Sequence, residues 1–324
     1  SISITANCTG ASDLLYKFSV GSTIVQAYST EKTTKVKMEN PGSQNITVEV
    51  YSAADPTSLI ALKSTIEVKA RPTVNAGADA LLCEGESAVL GMTAENGVIY
   101  KWSPEQGLEN PQSSSTATTS DFSATPATGI TYTLTASVDG LSTCYSKDEV
   151  NVTMYTKPTA DPGIDRMVCE GTAVELGMTP IYGVNYNWAP ASVLENSTIA
   201  NPKTLNLTST VSFTMTASLE ALPRCKSSAS VNIEVVPIPK ANAGSDMTIC
   251  EGNQVRIGST EQNNTSYSWI PVNYLGNSSI ANPITKTLSE GTYAFTLTTA
   301  STKMAACASS DEVIVSVKKK PVAY

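Results

Sequence analysis

A motif that returns three times constrains this chain more than any other feature. Asn75-Ala-Gly-Ala-Asp79 with Cys83-Glu-Gly85 recurs as Asp161-Pro-Gly-Ile-Asp165 with Cys169-Glu-Gly171. It recurs again as Asn242-Ala-Gly-Ser-Asp246 with Cys250-Glu-Gly252. Trp102, Trp188 and Trp269 follow Cys83, Cys169 and Cys250 at one constant interval. A second cysteine, Cys144, Cys225 or Cys307, comes about half a period after each tryptophan. Solenoid repeats run to about 20–50 residues, so the longer period here implies small self-contained domains placed in tandem.

Inside each repeat, short stretches alternate apolar and polar residues with period two, the signature of half-buried strands. Val98-Ile-Tyr100-Lys-Trp102, Val184-Asn-Tyr186-Asn-Trp188 and Thr265-Ser-Tyr267-Ser-Trp269 form one such strand. Pro104, Pro190 and Pro271 follow two residues later and stop it, because proline has no N–H for the ladder. The penultimate strand begins at Tyr132, Phe213 or Phe295, and the last one covers 149–154, 230–235 or 312–317. No window shows a convincing helical period. About seven short strands in 80-odd residues predict an all-β fold of immunoglobulin-like β-sandwiches. The same rhythm runs through residues 1–70 without the cysteine motif or a tryptophan. The expected plan is a divergent domain at 1–70, beginning inside a strand and truncated at its N-terminus. Repeats follow at 71–156, 157–237 and 238–318, with 319–324 starting the next linker. Short proline-containing joints such as Thr156-Lys157-Pro158 and Pro237-Ile-Pro239 leave little slack and predict an extended rod. At ~3.3 Å per strand residue each domain adds roughly 30–40 Å, so four give about 140 Å.

Composition narrows the function classes. Of 324 residues, 80 are Ser or Thr, only 15% are charged, and the net charge is −8. An acidic chain lacks the basic footprint that nucleic-acid phosphates require. Histidine is absent, which removes Ser-His and Cys-His catalysis and His-ligated metals. No apolar run approaches the ~18 residues that span a bilayer, and no signal peptide opens the sequence, which reads as a mature product or a fragment. Paired glycosidase carboxylates are not marked out anywhere, and a threefold repeat is a poor host for one active site. The chain reads as non-enzymatic.

Six of the seven cysteines, Cys83, Cys144, Cys169, Cys225, Cys250 and Cys307, fall into one pair per repeat, with the partners far apart in sequence. Metal sites need clustered ligands, so an intradomain disulfide in each repeat is the expectation, tying the opening strand to the closing hairpin. A loop of ~60 residues is worth about 4 kcal/mol in the chain-entropy model. Disulfides also place the chain in an oxidising, extracellular compartment. Cys8 is left unpaired, as a buried thiol, as one whose partner lies upstream, or as half of an intermolecular bridge.

Gly77, Asp79, Cys83-Glu-Gly85, Tyr100, Trp102, Pro104, Leu108-Glu-Asn110 and Cys144 carry a resemblance, with Leu194-Glu-Asn196, Asn201-Pro202, Leu275-Gly-Asn277 and Asn282-Pro283 in the later repeats. Over about residues 71–317 the pattern resembles the immunoglobulin/PKD-like repeats of giant Bacteroidota cell-surface proteins, of which the SprB-type gliding-motility adhesin is one. That resemblance implies type IX secretion, display on the cell surface, and adhesion or gliding. The implied partners are a surface polysaccharide, a host or other protein, or a second copy. The alternative is a set of glycan-binding or spacer modules attached to a secreted enzyme.

Two constellations have a functional and a structural reading. Asp79, Asp165 and Asp246, helped by Asp161, Glu84, Glu170 and Glu251, could hold structural Ca2+ at domain joints. The structural reading, which the sequence favours, is a turn where glycine takes a positive φ and the carboxylate caps backbone N–H groups. Tyr100, Tyr186 and Tyr267 with their tryptophans could stack sugars, but a sandwich needs large central aromatics and core packing is the expectation. Ser113–Ser120 reads as a polar surface loop that lengthens the first repeat.

Overall fold

A computed structural model of the chain describes residues 1–10, 12–119 and 128–320. It divides into two compact units, Ser1–Thr156 and Lys157–Tyr324. In the first unit, residues 1–70 give β1 (Ile2–Thr5), β2 (Leu14–Val20), β3 (Thr23–Ser29), β4 (Thr33–Val36), β5 (Gly42–Ser52) and β6 (Asp55–Val68). They form a four-stranded sheet ordered β3-β2-β5-β6 and a two-stranded one, β1-β4. Residues 71–156 give β7 (Ala80–Cys83), β8 (Val89–Gly91), β9 (Val98–Ser103), β10 (Ser115–Ala117), β11 (Thr128–Val138) and β12 (Leu141–Tyr155). Their main sheet is ordered β7-β12-β11-β9 and faces the pair β8-β10.

The second unit repeats that main sheet twice. β13 (Arg166–Cys169), β14 (Val184–Ala189), β15 (Val211–Leu219) and β16 (Lys226–Val236) are ordered β13-β16-β15-β14. β17 (Met247–Cys250), β18 (Thr265–Ile270), β19 (Gly291–Ser301) and β20 (Ala308–Lys318) are ordered β17-β20-β19-β18. In each of these three main sheets all pairings are antiparallel except one. The short opening strand runs parallel to the last strand, with Cys83 opposite Tyr155, Cys169 opposite Val236 and Cys250 opposite Lys318.

Alternation explains which face each strand buries. In β15, Phe213, Met215 and Ala217 point inward and are fully buried, while the threonines between them stay at the surface. There Thr214 and Thr216 meet Ser230 and Ser228 across the strand pair at 2.8 and 2.9 Å. Cross-strand hydroxyl pairs of this kind contribute roughly 0.2–1 kcal/mol each, which accounts for the hydroxyl-rich composition. Trp102, Trp188 and Trp269 lie at the centre of three separate cores, at most 1% exposed. Each indole N–H donates to a backbone carbonyl, of Ser113, Ile199 or Ile280, at 2.9–3.0 Å. Tyr100, Tyr186 and Tyr267 are buried beside them, and their hydroxyls accept the N–H of Glu95, Ile181 and Gln262. None of these rings is available as a sugar platform.

The stretch read as a polar loop at 113–120 contains an inward-packed strand, β10. Ser115–Ala117 pairs with β8, and Thr116 and Thr118 are 5% and 1% exposed; Ser120 lies outside the described residues. Thr118 Oγ1 accepts the N–H of Ala88 at 2.9 Å, as Thr204 accepts Val174 and Thr285 accepts Val255. Each of these threonines follows its tryptophan at the same interval, so the extra length of the first repeat falls after Thr118.

Tyr132 takes the place of Phe213 and Phe295, and its buried phenol donates to the Gln106 carbonyl at 2.9 Å. Burial pushes its pKa up to about 12. The unfolded chain ionises near 10, so stability is untouched below that pH and falls as pH rises from about 10 through 12. Alkaline unfolding followed by circular dichroism checks this: Tyr132→Phe is expected to extend resistance within that window. A transition unchanged by the substitution would contradict it.

Candidate functional site: cysteines at opposite poles of each repeat

The parallel registers fix where every cysteine sits. Cys169 lies opposite Val236, at the end of β16, whereas Cys225 immediately precedes Lys226, where β16 starts. The separation along the strand is 236 − 225 = 11 residues, or about 36 Å at ~3.3 Å per residue. The same interval of 11 separates Cys144 from Tyr155 and Cys307 from Lys318. Every repeat therefore carries its first cysteine at a downstream pole and its second at an upstream pole. A disulfide requires Cα atoms within about 7 Å, so no repeat can close its own pair.

The structure accordingly corrects the expectation of one intradomain bond per repeat. Cys169 is bonded to Cys307, with Cα atoms 5.2 Å apart and a sequence separation of 138. This joins the downstream pole of the second repeat to the upstream pole of the third. Cys83 and Cys225 are also disulfide-bonded. Cys144 and Cys250, both expected in bonds, are free thiols, as is the half-buried Cys8 packed at the edge of the first core. Alkylation of the unreduced, denatured chain is expected to add three groups, on Cys8, Cys144 and Cys250. After reduction it should add seven; mass spectrometry finding one free thiol before reduction would restore the intradomain scheme.

Non-covalent contacts surround the bonded joint. Thr299 and Ser309 both donate to the Pro239 carbonyl, at 3.0 and 2.6 Å, and Ser309 Oγ accepts the Ala241 N–H at 2.8 Å. Gln262 donates to the Lys240 carbonyl at 2.8 Å, and Lys303 pairs with Glu234. That ion pair is exposed and worth no more than about 1 kcal/mol, far below the bond beside it. An open cleft of about 610 Å3 lies here, between Pro237, Ile238, Gln262, Asn263, Thr302 and Lys303. The equivalent upstream pole of the first repeat differs: Cys144 Sγ points at the Lys69 and Ala70 carbonyls, 3.9 and 3.6 Å away.

The aspartates considered for Ca2+ are engaged by backbone. Asp79, Asp165 and Asp246 each accept the N–H of a residue in the last strand, Asn151, Asn232 or Ile314, at 2.7–2.9 Å. Asn75, Asp161 and Asn242 accept the N–H of the glycine two residues on, at 2.8–3.1 Å, which closes the turn. Gly77, Gly163 and Gly244 take φ of 91–99° there, a conformation that favours glycine. Among the described residues no cluster of three or more ligating side chains gathers at these turns, and no helix is long and apolar enough to cross a membrane.

No protein-family profile and no curated protein sequence matches the chain. Similar solved structures include the I-band fragment I67-I69 from titin, 13% identical, with a TM-score of 0.43 over 76% of this chain and 97% of that one. Another is Sidekick-1 immunoglobulin domains 1-4, 12% identical, TM-score 0.32, covering 98% of this chain and 94% of that one. The human desmocollin-1 ectodomain is 10% identical, TM-score 0.30, over 95% and 75%. The chain's own strand order and registers make it all-β, built of tandem immunoglobulin-like β-sandwich modules.

Proposed function

We propose that this chain is a segment of a secreted, repetitive cell-surface adhesin that works as a disulfide-locked, tension-bearing stalk. The observation that carries this reading is the Cys169–Cys307 bond, which spans a joint between repeats where the short linker would otherwise take the load alone. Force applied along the chain enters the second repeat, reaches Cys169, and crosses to Cys307, 138 positions further on, without passing through the chain between them. Parallel pairing of the opening and last strands supports the same reading. The parallel register carries Cys169 to the end of β16, the pole that meets the third repeat, so that the bond closes across the joint and not within the repeat. Disulfides also fit an oxidising environment outside the cytoplasm.

In this reading the modules are 1–70, 71–156, 157–237 and 238–318, with 319–324 opening a further linker. The SprB-type resemblance of their sequence motifs extends the reading to type IX secretion and to adhesion or gliding on a surface. The adhered partner is a surface polysaccharide, another protein, or another copy. Antibody fragments raised against the chain, applied to intact cells of its source, test the proposal. Labelling without permeabilisation, with loss of surface attachment or movement, is the expected result. Label that requires permeabilisation overturns it.

A further inference from the structure

Cys250 is held in the same backbone frame as the bonded Cys169. Glu170 N–H donates to Val236 O at 2.9 Å, and Glu251 N–H donates to Lys318 O at 2.8 Å. Gly171 and Gly252 donate to Leu207 and Leu288, and Thr172 and Asn253 donate back to the cysteine carbonyls at 3.1 and 3.2 Å. Cys83 sits in a corresponding hairpin, with Glu84 N–H on Tyr155 O, and is also bonded. Of three equivalent downstream cysteines, two are in disulfides and the third is an exposed free thiol.

The sequence adds an independent pointer. Each joint reads Pro-x-(Ala or Val), as Pro72-Thr-Val74, Pro158-Thr-Ala160 and Pro239-Lys-Ala241, and the third residue packs against the core that follows. Pro321-Val-Ala323 is a fourth instance, placed after the last strand of the third repeat. We infer that Cys250 is a cross-linking site for the upstream-pole cysteine of a further immunoglobulin-like repeat of this chain's own kind. The inference rests on the connectivity and not on the adhesin reading. Cys144 is unmatched for the complementary reason: residues 1–70, which precede its repeat, contain no Cys-Glu-Gly motif.

The bond forms by thiol–disulfide exchange with a small disulfide oxidant such as oxidised glutathione. The Cys250 thiolate attacks the oxidant, whose S–S bond breaks and releases one thiol. The partner thiolate then attacks Cys250 Sγ in the mixed disulfide and displaces the second thiol. Two protein thiols lose their protons, and one oxidant disulfide becomes two thiols.

The test extends the chain by one module. Residues 1–323 are followed by a second copy of 242–318, and the product is folded in glutathione redox buffer. Peptide mapping is expected to find the original Cys250 joined to the added copy of Cys307. Cys8, Cys144 and the added copy of Cys250 should remain alkylatable. Placing Cys250→Ser at the original position should leave the added Cys307 reactive. A free original Cys250, or a bond closed inside the added copy, overturns the inference. A second arm uses the unextended chain with Cys307→Ser. Cys169, thereby freed, is expected to alkylate about as fast as Cys250, and a rate an order of magnitude lower would break the equivalence.

Discussion

Stretching the folded chain between handles at residues 157 and 320 is expected to yield about 480 Å more length in reductant than without it. The figure follows from connectivity: Cys169 and Cys307 lie 138 positions apart in sequence, and extended chain reaches ~3.5 Å per residue. While the bond holds, only 157–169 and 307–320 can be drawn out. That costs the two cores Val168 and Val313, Val315 and Val317, but leaves the chain between the cysteines, with Trp188 and Trp269, outside the force path. In the chain-entropy model a loop of that size also contributes about 5 kcal/mol, against roughly 4 for a 60-residue intradomain loop. The mechanical consequence separates the two schemes better than the energy does. Bonds closed within repeats would instead hide Cys169–Cys225 and Cys250–Cys307 in two separate steps, each less than half as long. A single-molecule trace gaining only those shorter lengths would defeat the joint-locking account.

The contrast between the legible core and the illegible disulfides has a physical origin. Tyr100-x-Trp102 and its counterparts announce a half-buried strand because side-chain period is local, and local period is written in consecutive residues. The core threonines Thr118, Thr204 and Thr285 left an equally regular trace, at a constant interval after each tryptophan. Gly91, Gly177 and Gly258 did the same ahead of it. Those intervals were readable but not separable from a hydroxyl-rich, glycine-punctuated background. Cysteine pairing was different in kind. Two cysteines per repeat invite a bond within the repeat unless the direction of the opening strand is known. Parallel pairing of Arg166–Cys169 with Ile233–Val236 carries the first cysteine to the far end of the last strand, and nothing in a strand of four residues says which way it runs. The turn aspartates were legible in chemistry and ambiguous in role, since a carboxylate that caps N–H groups and one that awaits a cation look alike in sequence.

Gly258→Ala is expected to destabilise the third repeat by about 2–5 kcal/mol. Gly258 sits at φ +87°, and a Cβ there would lie 2.1 Å from the Ala281 carbonyl oxygen and 3.0 Å from Trp269 Cζ2. Neither neighbour can yield cheaply. The carbonyl belongs to the segment that also supplies Ile280 O to the indole N–H, and Trp269 fills the centre of its core. Left-handed backbone costs a side chain roughly 1–2 kcal/mol, and forcing extra volume into a packed core adds about 1–3 more. Gly252→Ala supplies the control, because its φ is +84° but the nearest atom to a new Cβ is Lys320 Nζ at 3.9 Å. That variant should lose only the backbone component, about 1–2 kcal/mol. Urea unfolding monitored by tryptophan fluorescence measures both. Equal losses would mean that the glycine serves conformation alone, and that the close approach of the 280–281 segment to Trp269 does not hold the repeat together. A larger loss at Gly258 ties that glycine to the seat of the indole in the third core, and Gly177, whose Cβ would lie 2.9 Å from Trp188 Cζ2, to that in the second.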